Sequence, residues 1–183
     1  HAMGRPVSLA GNRMRVVEPE YAFRFGEDLA PRVAPRTKEE ILAALESLHP
    51  AFEVPDSRFS DFTVAGEAQL LADNACCGEF VFGPAAPDGW REKDLRDAAV
   101  QATVQDARGR QRYTRAGSGR AALGDPYVAL TWLANRLSAM GITLLAGQYV
   151  STGTCMTPLE VEPGDRVIAD YGAFGTIDLQ LST

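Results

Sequence analysis

Two glutamates stand two residues apart in Val17-Glu18-Pro19-Glu20-Tyr21. On a strand, that spacing projects both carboxylates from one face, close enough to bind a single cation. A strand with one wet face produces the same pattern, so the pair alone leaves metal binding and solvation both open. A third carboxylate, Glu53, is enclosed by Pro50-Ala51-Phe52 and Val54-Pro55. Its burial without a partner is costly, and that partner is either a cation or the nearby Arg58. Three converging carboxylates suit Mg²⁺ or Mn²⁺, hard ions that take oxygen ligands and leave positions for water or substrate. Empty, such a cluster raises at least one carboxylate pKa, and metal binding releases protons.

Other segments carry chemistry less selectively. In Leu71-Ala72-Asp73-Asn74-Ala75-Cys76-Cys77-Gly78, an amide, a carboxylate and thiols could face a cavity, with Asn74 as a helix C-cap as the alternative. In Thr152-Gly153-Thr154, the glycine permits close approach of a ligand and the hydroxyls can bind a carboxylate, but an ordinary strand-ending turn has the same composition. Gly117-Ser118-Gly119 lacks the following GK[ST] of a phosphate loop and reads as a turn before a helix. Cys155 is a nucleophile only with a base beside it, and none is identifiable. Only His1 and His49 supply imidazole, and His49, before Pro50, reads as structural.

The elements that position these groups follow from periodicity. Residues 15–25 alternate, with Val17, Pro19, Tyr21, Phe23 and Phe25 on one parity and Glu18, Glu20 and Arg24 on the other, which predicts a strand. Pro19 cannot donate to a ladder, so it belongs at an edge, a bulge or the strand's start. Thr37 and Glu40 form a capping-box signature ahead of Ile41, Leu42, Leu45 and Leu48, predicting a helix that ends near His49 and Pro50. Residues 51–54 read as a buried strand, 67–74 as a short helix, 80–82 as a strand, and 100–106 with 111–116 as a hairpin about Arg108 and Gly109. Asp125 and Pro126 open a helix whose stripe is Tyr127, Leu130, Leu133, Ala134 and Leu137. Strands are expected at 149–152, 166–171 and 176–181, the last two joined at 172–175. Many short strands with two clear helices predict a strand-dominated α+β domain.

Bulk properties narrow the function. A chain of 183 residues is the size of one compact domain, expected over 1–183. The net charge of -6 and scattered basic residues argue against a nucleic-acid partner. No apolar run approaches the roughly 20 residues that span a bilayer, and the first residues do not resemble a signal peptide. Three cysteines without CxxC spacing fit reduced thiols, so a cytoplasmic location is expected.

Taken in order, these segments resemble the 2-keto-4-pentenoate hydratase branch of the fumarylacetoacetate hydrolase superfamily. The resemblance runs from Val17-Glu18-Pro19-Glu20-Tyr21-Ala22-Phe23 through His49-Pro50-Ala51-Phe52-Glu53-Val54 with Asp56-Ser57-Arg58, to Ala72-Asp73-Asn74-Ala75. It continues through Gly117-Ser118-Gly119, Leu123-Gly124-Asp125-Pro126 and Trp132-Leu133-Ala134-Asn135 to Thr152-Gly153-Thr154 and Gly164-Asp165-Arg166-Val167.

The resemblance implies a mixed β-roll with a few flanking helices, a Mg²⁺ or Mn²⁺ site held by Glu18, Glu20 and Glu53, and homo-oligomers. It places Asp73, as a catalytic candidate, and Asn74 and Thr154, as substrate-binding candidates, in segments that line the cavity. The implied activity is a metal-dependent hydro-lyase that adds water to a 2-hydroxy-2,4-dienoate or its 2-keto tautomer, giving a 4-hydroxy-2-keto acid in the catabolism of aromatic-type compounds. A decarboxylase or C–C bond hydrolase acting on a related 2-keto acid, or a catalytically silent subunit, is the alternative. Pro19 and the Cys76-Cys77 pair depart from the family's usual residues. A lysine-containing N-terminal strand of the family has no match here, so an upstream segment is expected to be missing.

Overall fold

The computed structural model describes residues 3–183, so His1 lies outside the described residues. In chain order the elements are β1 (Val7–Ser8), β2 (Val16–Phe25), α1 (Lys38–Ala43), β3 (Leu45–Val54), α2 (Glu67–Ala72), β4 (Glu79–Phe82), β5 (Ala99–Gln105), β6 (Gln111–Ser118), α3 (Pro126–Ala139), β7 (Tyr149–Thr154), β8 (Leu159–Glu160), β9 (Arg166–Asp170) and β10 (Thr176–Ser182). One sheet has the order β1-β10-β9-β5-β6 and the other β4-β3-β2-β7, with β8 paired to β2. The β1–β10 pair is parallel and the other pairs are antiparallel. This is the strand-dominated α+β domain expected from the pattern, in the mixed β-roll arrangement that the resemblance implied.

Burial follows the alternation. Val17, Tyr21, Phe23 and Phe25 of β2 are fully enclosed and join Val100, Ala102, Val104, Val167 and Ile177 of the other sheet in one hydrophobic cluster. Removing such apolar side chains from water supplies the main driving force for closing the two sheets. Pro19 lies inside the second sheet, where β2 changes partner from β8, opposite Val16 and Val17, to β7, opposite Glu20 onward. That switch tolerates a residue without an N–H, and the Pro19 carbonyl accepts from the Cys155 N–H at 2.7 Å.

The helix expected from Thr37 to Pro50 is a correction. Its capping box forms as read, with Thr37 accepting from the Glu40 N–H and Glu40 from the Thr37 N–H, but α1 ends at Ala43. Leu45 and Leu48 belong to β3, opposite Phe25 and Phe23 of β2. A register irregularity at Arg24 and Phe25 sends both leucines to the core face, although their spacing is odd. The bulge therefore imitates the i, i+3 spacing of a helix. Helix α2 likewise stops at Ala72, and a 3₁₀ turn, Asn74–Cys76, follows it. At α3, Asp125 caps the Tyr127 N–H at 2.8 Å and Pro126 occupies the first turn, as expected.

Two tertiary contacts hold the floor of the second sheet. The Tyr171 hydroxyl donates to the Ala51 carbonyl at 2.8 Å, tying the end of β9 to β3. Gly117 of β6 lies so close to Cys155 that a Cβ there would meet the Cys155 carbonyl oxygen at 2.1 Å, and the Ser118 N–H donates to the same carbonyl. The Gly117-Ser118-Gly119 stretch is thus a sheet-to-sheet contact, which a purely local turn reading did not anticipate.

Candidate metal centre

Antiparallel pairing builds the cluster. Glu18 stands directly opposite Glu53, and Glu20 stands opposite Ala51 on β3 and Thr154 on β7. Directly opposed residues share a face, so the three expected carboxylates converge, offering oxygens that all lie within 4.8 Å of one another. Glu20 is 1% exposed, whereas Glu18 and Glu53 are half-buried. The alternative partner for Glu53, Arg58, is instead paired with Asp73 at 2.6 Å.

The electrostatics are those of an uncompensated acidic pocket. Burial, then the neighbouring Glu53 charge, raises the Glu18 pKa to about 7. Burial, then the charges of Glu53 and Glu18, raises the Glu20 pKa to about 8 against the opposing hydrogen bonds of Ser151 and Gly153. Burial also lifts Glu53, partly offset by its hydrogen bond with Glu20. The Gly153 N–H reaches Glu20 Oε2 at 3.3 Å. Three carboxylates that repel one another in a partly dry site have the donor chemistry that fits a hard divalent cation.

Of the remaining candidates, Asp73 and Asn74 are not part of this cluster. Asp73, expected as a proton-transfer group, is 5% exposed and accepts from Ser57 Oγ at 2.7 Å, the Arg58 N–H at 2.9 Å and the Arg58 guanidinium at 2.6 Å. Those bonds, Ser57's first, hold its carboxyl below the usual range. An acid so engaged anchors the loop after β3, and this geometry does not free it to carry protons. Ser57 and Arg58 line a cavity of about 450 Å³ with Asn12, Asp56 and Cys77. Glu18, Glu20 and Glu53 are absent from that lining. Asn74 is exposed, at the start of three successive left-handed residues, Asn74, Ala75 and Cys76, with φ of 55°, 52° and 63°. Such backbone is tolerated by asparagine but strained for Ala75 and Cys76.

Thr154 adjoins Glu20 in the register, but its hydroxyl donates to the Met156 carbonyl at 2.9 Å. Cys155 is buried, and burial followed by the Glu20 charge pushes its thiol pKa up, which opposes nucleophilic use. His49 is structural, held by Ser47 and the Gly83 carbonyl, each at 2.8 Å.

Residues missed in the sequence complete the same sheet face. Phe80 stands opposite Glu53, Phe82 opposite Ala51, Ser151 opposite Ala22 and Tyr149 opposite Arg24. The parity of Phe80 and Phe82, and of Tyr149 and Ser151, was visible as alternation, but which parity shared a face with the glutamates depends on the register.

No protein-family model matches the chain. It is 36% identical over 182 residues to a 2-hydroxyhexa-2,4-dienoate hydratase of Comamonas testosteroni, a match covering 98% of this chain and 65% of that one. It is 34% identical over 163 residues to a 2-keto-4-pentenoate hydratase of Paraburkholderia xenovorans (strain LB400), covering 88% and 56% of the respective chains. A solved structure of 4-oxalocrotonate decarboxylase from Pseudomonas putida G7, complexed with magnesium and adipate, superposes with a TM-score of 0.80 at 26% identity, covering 98% of this chain and 65% of that one. The chain therefore spans less than two thirds of the length of these relatives.

Proposed function

We propose that the chain belongs to the fumarylacetoacetate hydrolase superfamily, on its 2-keto-4-pentenoate hydratase branch, and that the protein is a metal-dependent lyase that hydrates a 2-hydroxy-2,4-dienoate or its 2-keto tautomer to a 4-hydroxy-2-keto acid. The convergence of Glu18, Glu20 and Glu53 carries the reading. These three would hold Mg²⁺ or Mn²⁺, and magnesium is the ion in the superposed decarboxylase. When bound, such an ion supplies a Lewis acid and a template for a substrate's carboxylate and 2-oxo oxygen.

The chain's own residues prepare that site. Ser151 and the Gly153 N–H favour the ionised form of Glu20, while the apolar underside of β2 excludes water from behind it. Tyr171 fixes the Ala51 carbonyl, and with it the stretch of β3 that carries Glu53. We assign Thr154, which pairs with Glu20 in the register, to substrate contact and Asp73 to positioning of the Ser57-Arg58 loop. The same reading makes residues 1–183 one catalytic-type domain of a cytoplasmic homo-oligomer that acts on a small 2-keto acid. The free cysteines fit a reducing compartment. Exposed apolar side chains at Leu123, Val128 and Trp132 support an interface between copies. Among the described residues no helix is long and apolar enough to cross a membrane.

Dienoate absorbance measured with and without Mg²⁺ tests the activity. Loss of the dienoate with formation of a 4-hydroxy-2-keto acid supports hydration. The likeness to the decarboxylase favours a second reading on the same scaffold, and carbon dioxide release from a 2-keto-enedioate would replace hydration with decarboxylation.

A further inference from the structure

The sheet face that carries the carboxylates continues into an aromatic shelf. Beyond Glu20 the floor is Ala22 and Ala51, both fully enclosed although they share the outward parity of the glutamates. Their cover comes from the flanking strands. Phe82 on β4 and Tyr149 on β7 lean over the alanines until their ring centroids are 4.3 Å apart, and Phe80 lies 4.8 Å from Phe82. His49, pinned at both ring nitrogens, stands 5.7 Å from the Tyr149 ring. Beside these rings is a cavity of about 140 Å³ lined by Phe80, Phe82, Tyr149 and Ser151. It adjoins the carboxylates, because Ser151 stands opposite Ala22, the residue that follows Glu20 on the same face of β2.

We propose that the Phe82–Tyr149 shelf is the subsite for the tail of the substrate and selects a short, uncharged, apolar tail over one ending in a second carboxylate. The inference rests on the reading of the three glutamates as the anchor for a chelating 2-oxo acid. A ligand held there by its carboxylate and 2-oxo oxygen directs its remaining carbons along the sheet, and the Ser151 side is where the face opens into a cavity. Its volume corresponds to about five heavy atoms, each taking roughly the 30 Å³ of a water in the liquid. Its walls are aromatic rings, which favour alkyl or vinyl carbons. Among the described residues, the cation recorded over the shelf's rings is Arg24, whose guanidinium lies 5.8 Å from the Tyr149 ring centroid, and it is paired with Glu46. A tail carboxylate would thus lose water without gaining a free positive partner.

Calorimetry on the Mg²⁺-loaded protein tests this with oxalate, pyruvate, 2-oxobutanoate, 2-oxopentanoate and 2-oxoglutarate. Affinity is expected to rise roughly three- to fourfold for each methylene from pyruvate to 2-oxopentanoate, the gain for burying one such group. 2-Oxoglutarate is expected to bind at least tenfold more weakly than 2-oxopentanoate. Tyr149→Ala, and independently Phe82→Leu, should flatten the chain-length series, lowering the ratio of 2-oxopentanoate to oxalate affinity. Mg²⁺-dependent oxalate binding in each variant reports that the fold and anchor survive. If oxalate binds the parent protein but chain length has no effect, or 2-oxoglutarate binds as tightly as 2-oxopentanoate, the subsite is wrong and the metal anchor stands. Failure of oxalate to bind in the presence of Mg²⁺ would overturn the anchor and the shelf together.

Discussion

At the scale of single residues, the site is defined by charge that the protein does not neutralise. Glu20→Gln keeps the shape of the side chain and removes one ligand charge. Because disturbing only the groups behind metal ligands costs about 10–100-fold in affinity, this change is expected to weaken Mg²⁺ binding by at least that factor and abolish metal-dependent turnover. Calorimetry and the dienoate assay check it, and an unchanged Mg²⁺ dependence would remove Glu20 from the ligand set. The raised pKa values of Glu18 and Glu20, about 7 and about 8 against an ordinary 4.5, give a second prediction. Between pH 4.5 and 8 the metal-free folded state binds more protons than the unfolded chain, so its stability falls as pH rises. Melting temperature without metal should therefore decline from pH 5 to pH 8.5. Added Mg²⁺ should raise it more at the alkaline end, where the carboxylates are ionised and binding shifts the folding equilibrium. A metal-free melting temperature that is flat across this window would contradict the electrostatics described for the cluster.

At the scale of elements, what matters is how β2 and β3 are held in register from behind. Gly117 allows β6 to lie against the Cys155 backbone, where a methyl group would meet the carbonyl oxygen at 2.1 Å. Gly117→Ala is expected to destabilise the fold by about 1–3 kcal/mol, the usual cost of forcing extra volume into a close contact. Tyr171→Phe strips the Ala51 carbonyl of its buried side-chain donor and should cost about 1–3 kcal/mol. Urea midpoints measure both, and a change within a few tenths of a kcal/mol at either position would show that the contact is not needed for stability.

At the scale of the whole molecule, the two sheets share one core while the carboxylates and the aromatic shelf lie on the outer face of the second sheet. Large exposed apolar residues occur elsewhere as well, with Trp132 59% exposed and Val128 53% exposed on α3. If that surface joins copies of the chain, light scattering should give a mass that is a multiple of the monomer's. Trp132→Glu, by burying a charge in the interface, should shift the protein toward monomer. A monomeric parent protein would exclude the homo-oligomer.

Local patterns in the sequence determined a good deal of this protein. Alternation in β2 separated Val17, Tyr21, Phe23 and Phe25 from Glu18 and Glu20, because side chains on a strand alternate whatever its partners. Thr37 with Glu40, and Asp125 with Pro126, marked two helix starts, because capping is satisfied within a few residues. Long-range pairing decided the rest. The bulge opposite Phe25 turned an apparent helix into β3, and only the resulting register set Glu53 opposite Glu18 and Phe82 opposite Ala51. Asp73 looked as available as any carboxylate until folding delivered Ser57 and Arg58 to it. Register and ion pairing depend on which distant residues are brought together, and that is a property of the closed sheet, not of any segment by itself.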